Sequence, residues 1–263
     1  MSIFESIILG IVQGLTEFLP VSSSGHLVLI QKIFGVDCNV LFFDTMLHVG
    51  TLAAVFVVLW KEIKAILKKP VQKMTGMLIA ATIPAIIFVL VFNKYIDDAF
   101  EGKYLGYGFL LTTAVLVLGE LLCRLTRKHS GEVTYPKSLI MGGMQALAVL
   151  PGLSRSGSTI AGGLMTGLSR EKAANFAFLM SIPVILGSIV YQGYDIVKEG
   201  AFDTSLILPS VIGMIFSAVS GYFAVRFMIN LVKKHRLYGF AVYTAALGAF
   251  VLLDQFVFKL IAW

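Results

Sequence analysis

Gly10-Ile11-Val12-Gln13-Gly14-Leu15-Thr16-Glu17-Phe18-Leu19-Pro20-Val21-Ser22-Ser23-Ser24-Gly25 has a counterpart, without a gap, in Gly142-Gly143-Met144-Gln145-Ala146-Leu147-Ala148-Val149-Leu150-Pro151-Gly152-Leu153-Ser154-Arg155-Ser156-Gly157, 132 residues further on. Gly10 meets Gly142, Gln13 meets Gln145, Leu15 meets Leu147, Ser22 meets Ser154, Ser24 meets Ser156 and Gly25 meets Gly157. Each copy runs from an apolar helical pattern into a proline and then a turn of Ser and Gly. The chain therefore reads as two related halves, 1–123 and 137–263, with the polar turns as the candidate functional site.

The medium around these turns follows from composition. Hydrophobic residues make up 57% of the chain and charged ones 14%, against about 25% charged in a soluble domain, and the mean hydropathy is +0.88. Residues 1–263 read as a single integral membrane domain. Apolar runs at Thr45–Trp60, Met74–Phe92, Leu105–Cys123, Ala173–Tyr191, Leu206–Val225 and Tyr238–Val257 each approach the roughly 20 residues that cross a bilayer. Two segments are left over, Ile3–Phe34 and Leu139–Leu168, and each contains one of the paired turns. The start, Met1-Ser2-Ile3-Phe4-Glu5, lacks the basic residues of a cleaved signal, so the first helix is expected to be retained.

A net charge of +6 raises nucleic acid as a partner, but the basic residues sit in connectors and report orientation instead. Lys61–Lys73 carries five Lys against one Glu, Arg124–Lys137 four basic residues against Glu132, and Arg226–Arg236 four and no acid. The connectors between them lean acidic: Asp97, Asp98 and Glu101 in Lys94–Lys103, and Asp195, Glu199 and Asp203 in Tyr191–Thr204. This alternation is what consecutive crossings require when basic loops stay in the cytoplasm. It places Cys38 and Cys123 on opposite faces, so they are expected as thiols packed like small apolar groups.

Charge parity also makes each leftover segment start and end on one side. A turn of Pro, Ser and Gly leaves backbone groups unpaired, which at membrane depth is tolerated only when buried in protein or lining a wet cavity. The expected fold is therefore all-α and polytopic, with six transmembrane helices and two re-entrant helical hairpins. One hairpin and three crossings per half make the second half inverted, an architecture that many transporters share.

Gln13 and Glu17 lie four apart and share a helix face directed at the first turn. An ionisable residue in hydrocarbon is a functional candidate by default, with a structural hydrogen bond to a neighbouring helix as the alternative for Glu17. Serine at a helix start caps free N–H groups, and those groups with the helix dipole bind anions. Ser22, Ser23 and Ser24, followed by Gly25 for close backbone approach and by His26, exceed what one cap needs. Ser154, Ser156 and Thr159 repeat the design in the second half. Arg155 needs an anionic partner at the tip of a buried turn, and Glu17 and a bidentate phosphate both qualify. Asp44 and His48, also four apart, are spaced to pair with each other, and a structural or gating role is expected of them. Glu120 and Asp254 lie near helix ends and are expected to reach water. Pro84 and Pro183 are expected to kink their helices, with Thr82 and Ser181 hydroxyls satisfying freed carbonyls.

The run from Gln13 to His26, with Pro151-Gly152-Leu153-Ser154-Arg155-Ser156-Gly157-Ser158-Thr159, closely resembles the bacterial undecaprenyl-diphosphatase family, also called bacitracin resistance proteins. The likeness extends over essentially the whole chain. It implies hydrolysis of undecaprenyl diphosphate to undecaprenyl phosphate and phosphate in the bacterial plasma membrane, with the site open to the outer face. It further implies catalytic roles for Glu17, Ser23, His26 and Arg155. Around them Gln13, Ser22, Ser24, Gly25, Ser154, Ser156 and Thr159 are expected to bind the substrate. Gln13 fills the family's variable acidic position, which weakens a metal site of two carboxylates, although a divalent cation such as Mg²⁺ or Ca²⁺ held by Glu17 against the phosphate is left open.

The expected partners are an isoprenoid diphosphate lipid and membrane lipid, not nucleic acid, and a homo-oligomer is left open. Acid-phosphatase-like lipid phosphatases also use a Ser-Gly-His turn, but they need a His six residues after an Arg, and position 161 is Ala. A carrier or flippase of the phosphorylated lipid or another anion would use the same residues as ligands. Serine attack, histidine attack and activated water all fit these residues.

Overall fold

The computed structural model describes residues 1–36, 41–125, 131–199 and 203–263. Cys38 and the basic residues Arg127 and Lys128 lie outside the described residues. Eleven α-helices follow in chain order among the described residues: α1 Ile3–Phe18, α2 Ser23–Phe34, α3 Leu41–Val58, α4 Trp60–Lys68, α5 Lys73–Phe100, α6 Leu105–Leu125, α7 Tyr135–Leu147, α8 Arg155–Met165, α9 Arg170–Glu199, α10 Ile207–Lys234 and α11 Tyr238–Leu253. No strand forms among the described residues. Six helices are long and apolar enough to cross a membrane: α3, α5, α6, α9, α10 and α11 with its extension to Phe258. The chain is a multi-pass membrane protein.

Local sequence sets the helix ends. Ser2 and Glu5 form a reciprocal capping box at the start of α1, with Ser2 N–H donating to Glu5 Oε2 at 2.7 Å and Glu5 N–H to Ser2 Oγ at 3.2 Å. Gly35, with φ +63°, closes α2 in the left-handed conformation that glycine adopts at low cost. Pro136 stands in the first turn of α7, where a missing N–H loses nothing.

The helices overrun the expected connectors. α5 continues to Phe100, α9 to Glu199 and α10 to Lys234, and α4 occupies most of Lys61–Lys73. Charge marks where water begins, not where a helix ends, because Lys, Glu, Ile and Leu all hold helix well once a span has nucleated it. Pro84 and Pro183 lie inside α5 and α9. Thr82 and Ser181 donate to Leu78 and Phe178 carbonyls at 2.8 Å each, so they bond back one turn and do not take the carbonyls of Ala80 and Leu179 that the prolines free.

Small residues bring the helices together, as is usual where lipid supplies no hydrophobic contrast. α10 packs on both α1 and α3. A Cβ on Gly10 of α1 would lie 3.0 Å from Gly213 Cα of α10. Ser217 of α10 donates to the Leu47 carbonyl of α3 at 2.8 Å. α11 packs on α6, where the Thr113 and Thr244 hydroxyls bond at 2.8 Å. The main core gathers Phe18, Val55, Leu116, Met141, Ile160, Phe176 and Phe178. Ile79, Leu111, Val190 and Phe223 remain exposed, in keeping with helices that face lipid.

Glu120 and Asp254 do not reach water; both are fully buried. Glu120 accepts from both terminal nitrogens of Arg170, at 2.8 and 2.5 Å, and from Leu237 N–H at 2.8 Å. Asp254 accepts from Leu260 N–H, Ile261 N–H and Trp263 Nε1–H at 3.0, 3.1 and 2.7 Å. The start of α9 and the link into α11 supply donors to Glu120, and the C-terminal segment folds back to supply those of Asp254, in place of solvent, which is the condition for burying a carboxylate.

Candidate active site

The two turns picked out in the sequence meet. Ser156 Oγ, at the start of α8, donates to the Leu19 carbonyl in the turn between α1 and α2 at 2.8 Å, and Arg155 pairs with Glu17 near the end of α1. Ser22 and Ser154 both cap the helix after their turn, accepting from Gly25 N–H at 3.3 Å and Gly157 N–H at 3.1 Å. The second turn is fixed by Thr112 of α6, whose hydroxyl donates to the Gly152 carbonyl at 2.7 Å and accepts from Ser154 N–H at 2.8 Å. The first turn carries Ser22 at φ +70°, a conformation that costs a residue with a Cβ about 1–2 kcal/mol.

Glu17 is the hub. Only 6% exposed, it accepts from Ser23 Oγ at 2.5 Å and from Gln13 Nε2 at 3.1 Å on one oxygen, with Arg155 on the other. A nucleophile-type hydroxyl, a carboxylate that can take its proton and a guanidinium thus share one point, though they come from residues 17, 23 and 155. Of the two anionic partners open to Arg155, the one it meets here is Glu17. Gln13 Oε1 is buried with no partner, an orphaned acceptor on the side chain that holds Glu17.

His26 belongs to the first turn, but its ring is aimed elsewhere. Its Nδ1 lies 2.7 Å from the Ser22 carbonyl and its Nε2 2.7 Å from the Tyr243 hydroxyl of α11. Gly25 makes room for Phe109, whose Cζ would sit 2.7 Å from a Cβ there. Ser24 Oγ lies 3.4 Å from Ser22 Oγ. Thr159 turns back along α8 to the Arg155 carbonyl at 2.9 Å. Asp44 and His48 do not pair through their side chains: Gln31 Nε2 donates to the Asp44 carboxylate at 2.8 Å, and the His48 ring bonds the Asp44 main-chain carbonyl at 2.8 Å.

A cavity of about 1670 Å³ adjoins the cluster, and Glu17, Ser22, Ser23, Ser24 and Arg155 line it together with Asp44 and His48. Ile86, Val89 and Leu90 of α5 and Val184 and Ile185 of α9 make other parts of the same wall apolar. It therefore offers a polar, charged end and an apolar surface in one space, the usual make-up of a ligand site.

Two residues of this arrangement, Thr112 and Tyr243, were not singled out by sequence. The spacing of the turns does carry a trace of the first, since Thr112 and Thr244 also stand 132 residues apart in otherwise apolar helices. Tyr243 leaves no such trace, because an aromatic residue in a span reads as lipid-facing.

Crossing helices around a buried Glu-Ser-Arg cluster, beside a cavity with polar and apolar walls, define a polytopic membrane protein with a polar site inside it. The profile described as Bacitracin resistance protein BacA matches residues 6–250. The chain belongs to this family. It is 43% identical over 257 residues to an undecaprenyl-diphosphatase of Carboxydothermus hydrogenoformans, covering 97% of this chain and 98% of that one. It is 43% identical over 260 residues to undecaprenyl-diphosphatase 4 of Bacillus thuringiensis subsp. konkukian, with the same coverage. An undecaprenyl-diphosphatase of Halothermothrix orenii is 38% identical over 256 residues, 96% of this chain and 98% of the relative.

Proposed function

We propose that the protein hydrolyses undecaprenyl diphosphate to undecaprenyl phosphate and inorganic phosphate, returning the lipid carrier to cell-wall synthesis at the outer face of the bacterial plasma membrane. The observation that carries this reading is the contact of Ser23 Oγ with Glu17 at 2.5 Å, with Arg155 on the same carboxylate. Phosphoryl transfer is chiefly positioning and charge stabilisation, and this cluster supplies both. The diphosphate takes Arg155 from Glu17, and the guanidinium fork holds non-bridging oxygens. Glu17, released from its ion pair, accepts the Ser23 proton as Ser23 Oγ attacks the terminal phosphorus. The bond from that phosphorus to the bridging oxygen breaks, and undecaprenyl phosphate leaves with the electron pair. Glu17 passes that proton to the departing undecaprenyl phosphate, then takes one from the water that attacks the phosphoserine phosphorus and returns it to Ser23 Oγ as phosphate leaves, restoring both groups. Ser22 and Ser24 border the same space and donate to the phosphate groups, while the isoprenoid lies along Ile86, Val89 and Leu90.

A hard divalent cation would take Glu17 as its protein ligand together with the substrate's own oxygens and neutralise phosphate charge, whereas Gln13, wholly buried and absent from the cavity lining, does not complete a two-residue donor set for it.

The architecture we propose around this chemistry is an inverted repeat with two re-entrant hairpins, α1–α2 and α7–α8. Supporting it, α1 and α2 start at residues 3 and 23 and α7 and α8 at 135 and 155, the same offset of 132 as the turns. At about 1.5 Å per residue, the 16 residues of α1 and the 12 of α2 fall short of a bilayer core. That symmetry favours transport as the second reading, with the same residues as ligands. Purified protein given undecaprenyl diphosphate separates the two. Phosphate release is the expected result; saturable binding without release would replace the phosphatase with a carrier.

A further inference from the structure

We propose that Tyr243 is a positioning residue for this reaction. Its phenol holds the His26 imidazole in the tautomer that clamps the Ser22 carbonyl, and the clamped turn keeps Ser23 against Glu17. The functional part of this inference rests on Ser23 and Glu17 being the reacting pair proposed above.

The hydrogen bonds fix the direction of each proton. A carbonyl has none to give, so the 2.7 Å contact between Ser22 O and His26 Nδ1 requires the hydrogen on Nδ1. In the neutral ring Nε2 is then an acceptor, and the Tyr243 hydroxyl, at 2.7 Å, is its donor. A lone imidazole exchanges freely between its two neutral tautomers, and a phenol donating to Nε2 favours the one that donates from Nδ1. Ring geometry adds a second constraint: Tyr243 lies parallel to His26, 9° between planes and 5.7 Å between centroids, and Phe109 meets the imidazole edge-on at 5.5 Å.

The clamp acts where the backbone needs holding. Ser22 is one of two described residues other than glycine with positive φ, and its carbonyl accepts from His26 twice, from the main-chain N–H at 3.2 Å and from Nδ1. Ser23, the next residue, opens α2 and carries the hydroxyl bonded to Glu17. Tyr243 is itself held in place, because the next residue, Thr244, bonds Thr113 of α6 at 2.8 Å and Thr113 also bonds the Ala241 carbonyl at 3.2 Å. His26 and Tyr243 do not line the cavity that Ser23 and Glu17 share. Their influence therefore runs through the turn and not through contact with the substrate.

The test uses the full chain in lipid bilayers with histidine labelled in the ring with ¹⁵N, and His26 assigned by difference from His26→Gln. The expected wild-type signal is a neutral ring protonated at Nδ1, and Tyr243→Phe, which keeps the stack and loses the hydroxyl, is expected to give a mixture of tautomers. In the same variant kcat for phosphate release falls by about 10- to 100-fold, the scale of a misplaced nucleophile, while KM stays within about twofold because no substrate contact is lost. A wild-type His26 protonated at Nε2, or a Tyr243→Phe enzyme with wild-type kcat, would overturn the proposal. The wild-type spectrum decides it even if the variant does not fold. Failure of the wild type to release phosphate would instead remove the phosphatase reading and leave the tautomer measurement standing.

Discussion

The two Ser/Gly turns perform the same capping with different backbones. Ser22 and Ser154 each accept from the glycine N–H three residues on, yet Ser22 sits at φ +70° and Ser154 at φ −68°. In the second turn the positive φ falls on Gly152, at +85°, where no Cβ is strained. The chemistry divides in the same way. Glu17, Ser23 and His26 align with Val149, Arg155 and Ser158, so one turn carries the acid and the hydroxyl and the other carries the cation. The second turn is relaxed and tied by Thr112, whereas the first is strained and tied by His26. Strain of this kind persists only where surroundings over-determine it, and it collects at reacting positions. On the mechanism proposed above, a shared backbone plan is specialised into a reactive turn and a gripping turn.

The gripping turn gives the largest expected effect. Arg155→Lys keeps the charge and loses the fork, and phosphate release should fall about 10³-fold, the range for a guanidinium on a transferring phosphoryl group. An unchanged rate would show that the second turn does not grip the substrate. Next comes the backbone of that turn. In Gly152→Ala a Cβ would stand 2.8 Å from Gly108 Cα at φ +85°, and thermal unfolding in detergent should show a loss of about 2 kcal/mol or more. Ser22→Gly is the matched change in the reactive turn, and its effect on stability should be the smaller of the two. Relief of strain, loss of the cap oxygen and added chain entropy nearly cancel, leaving stability within about 1 kcal/mol of wild type, while turnover drops as the turn loosens. A Ser22→Gly protein destabilised as much as Gly152→Ala would mean that the two backbones do not differ in the way described.

These contrasts bear on what the sequence could reveal. The six crossings were legible because a span is a long apolar run, and the serine caps because capping is local. Glu17 and Arg155 were legible as partners because each is a charge that hydrocarbon does not tolerate alone. α4 and the overruns of α5 and α9 were not, since charged residues end a membrane crossing without ending a helix. Glu120 and Asp254 were misread because their donors, Arg170 and Trp263 among them, arrive from segments 50 and nine residues away. Tyr243 was beyond reach for the same reason: 217 residues separate it from His26, and only the packing of α11 on α6 brings them together.

The central claim is that the two turns converge to set Ser23 against a diphosphate. The most direct test is rapid quenching of the purified protein with SDS at near-neutral pH, where phosphoserine and phosphohistidine both survive, during turnover of undecaprenyl diphosphate, followed by mass spectrometry of the peptide spanning residues 19–32. The account predicts phosphate on Ser23, lost in Ser23→Ala together with phosphate release. Phosphate on His26, or steady turnover by Ser23→Ala with no phosphorylated residue, would contradict it.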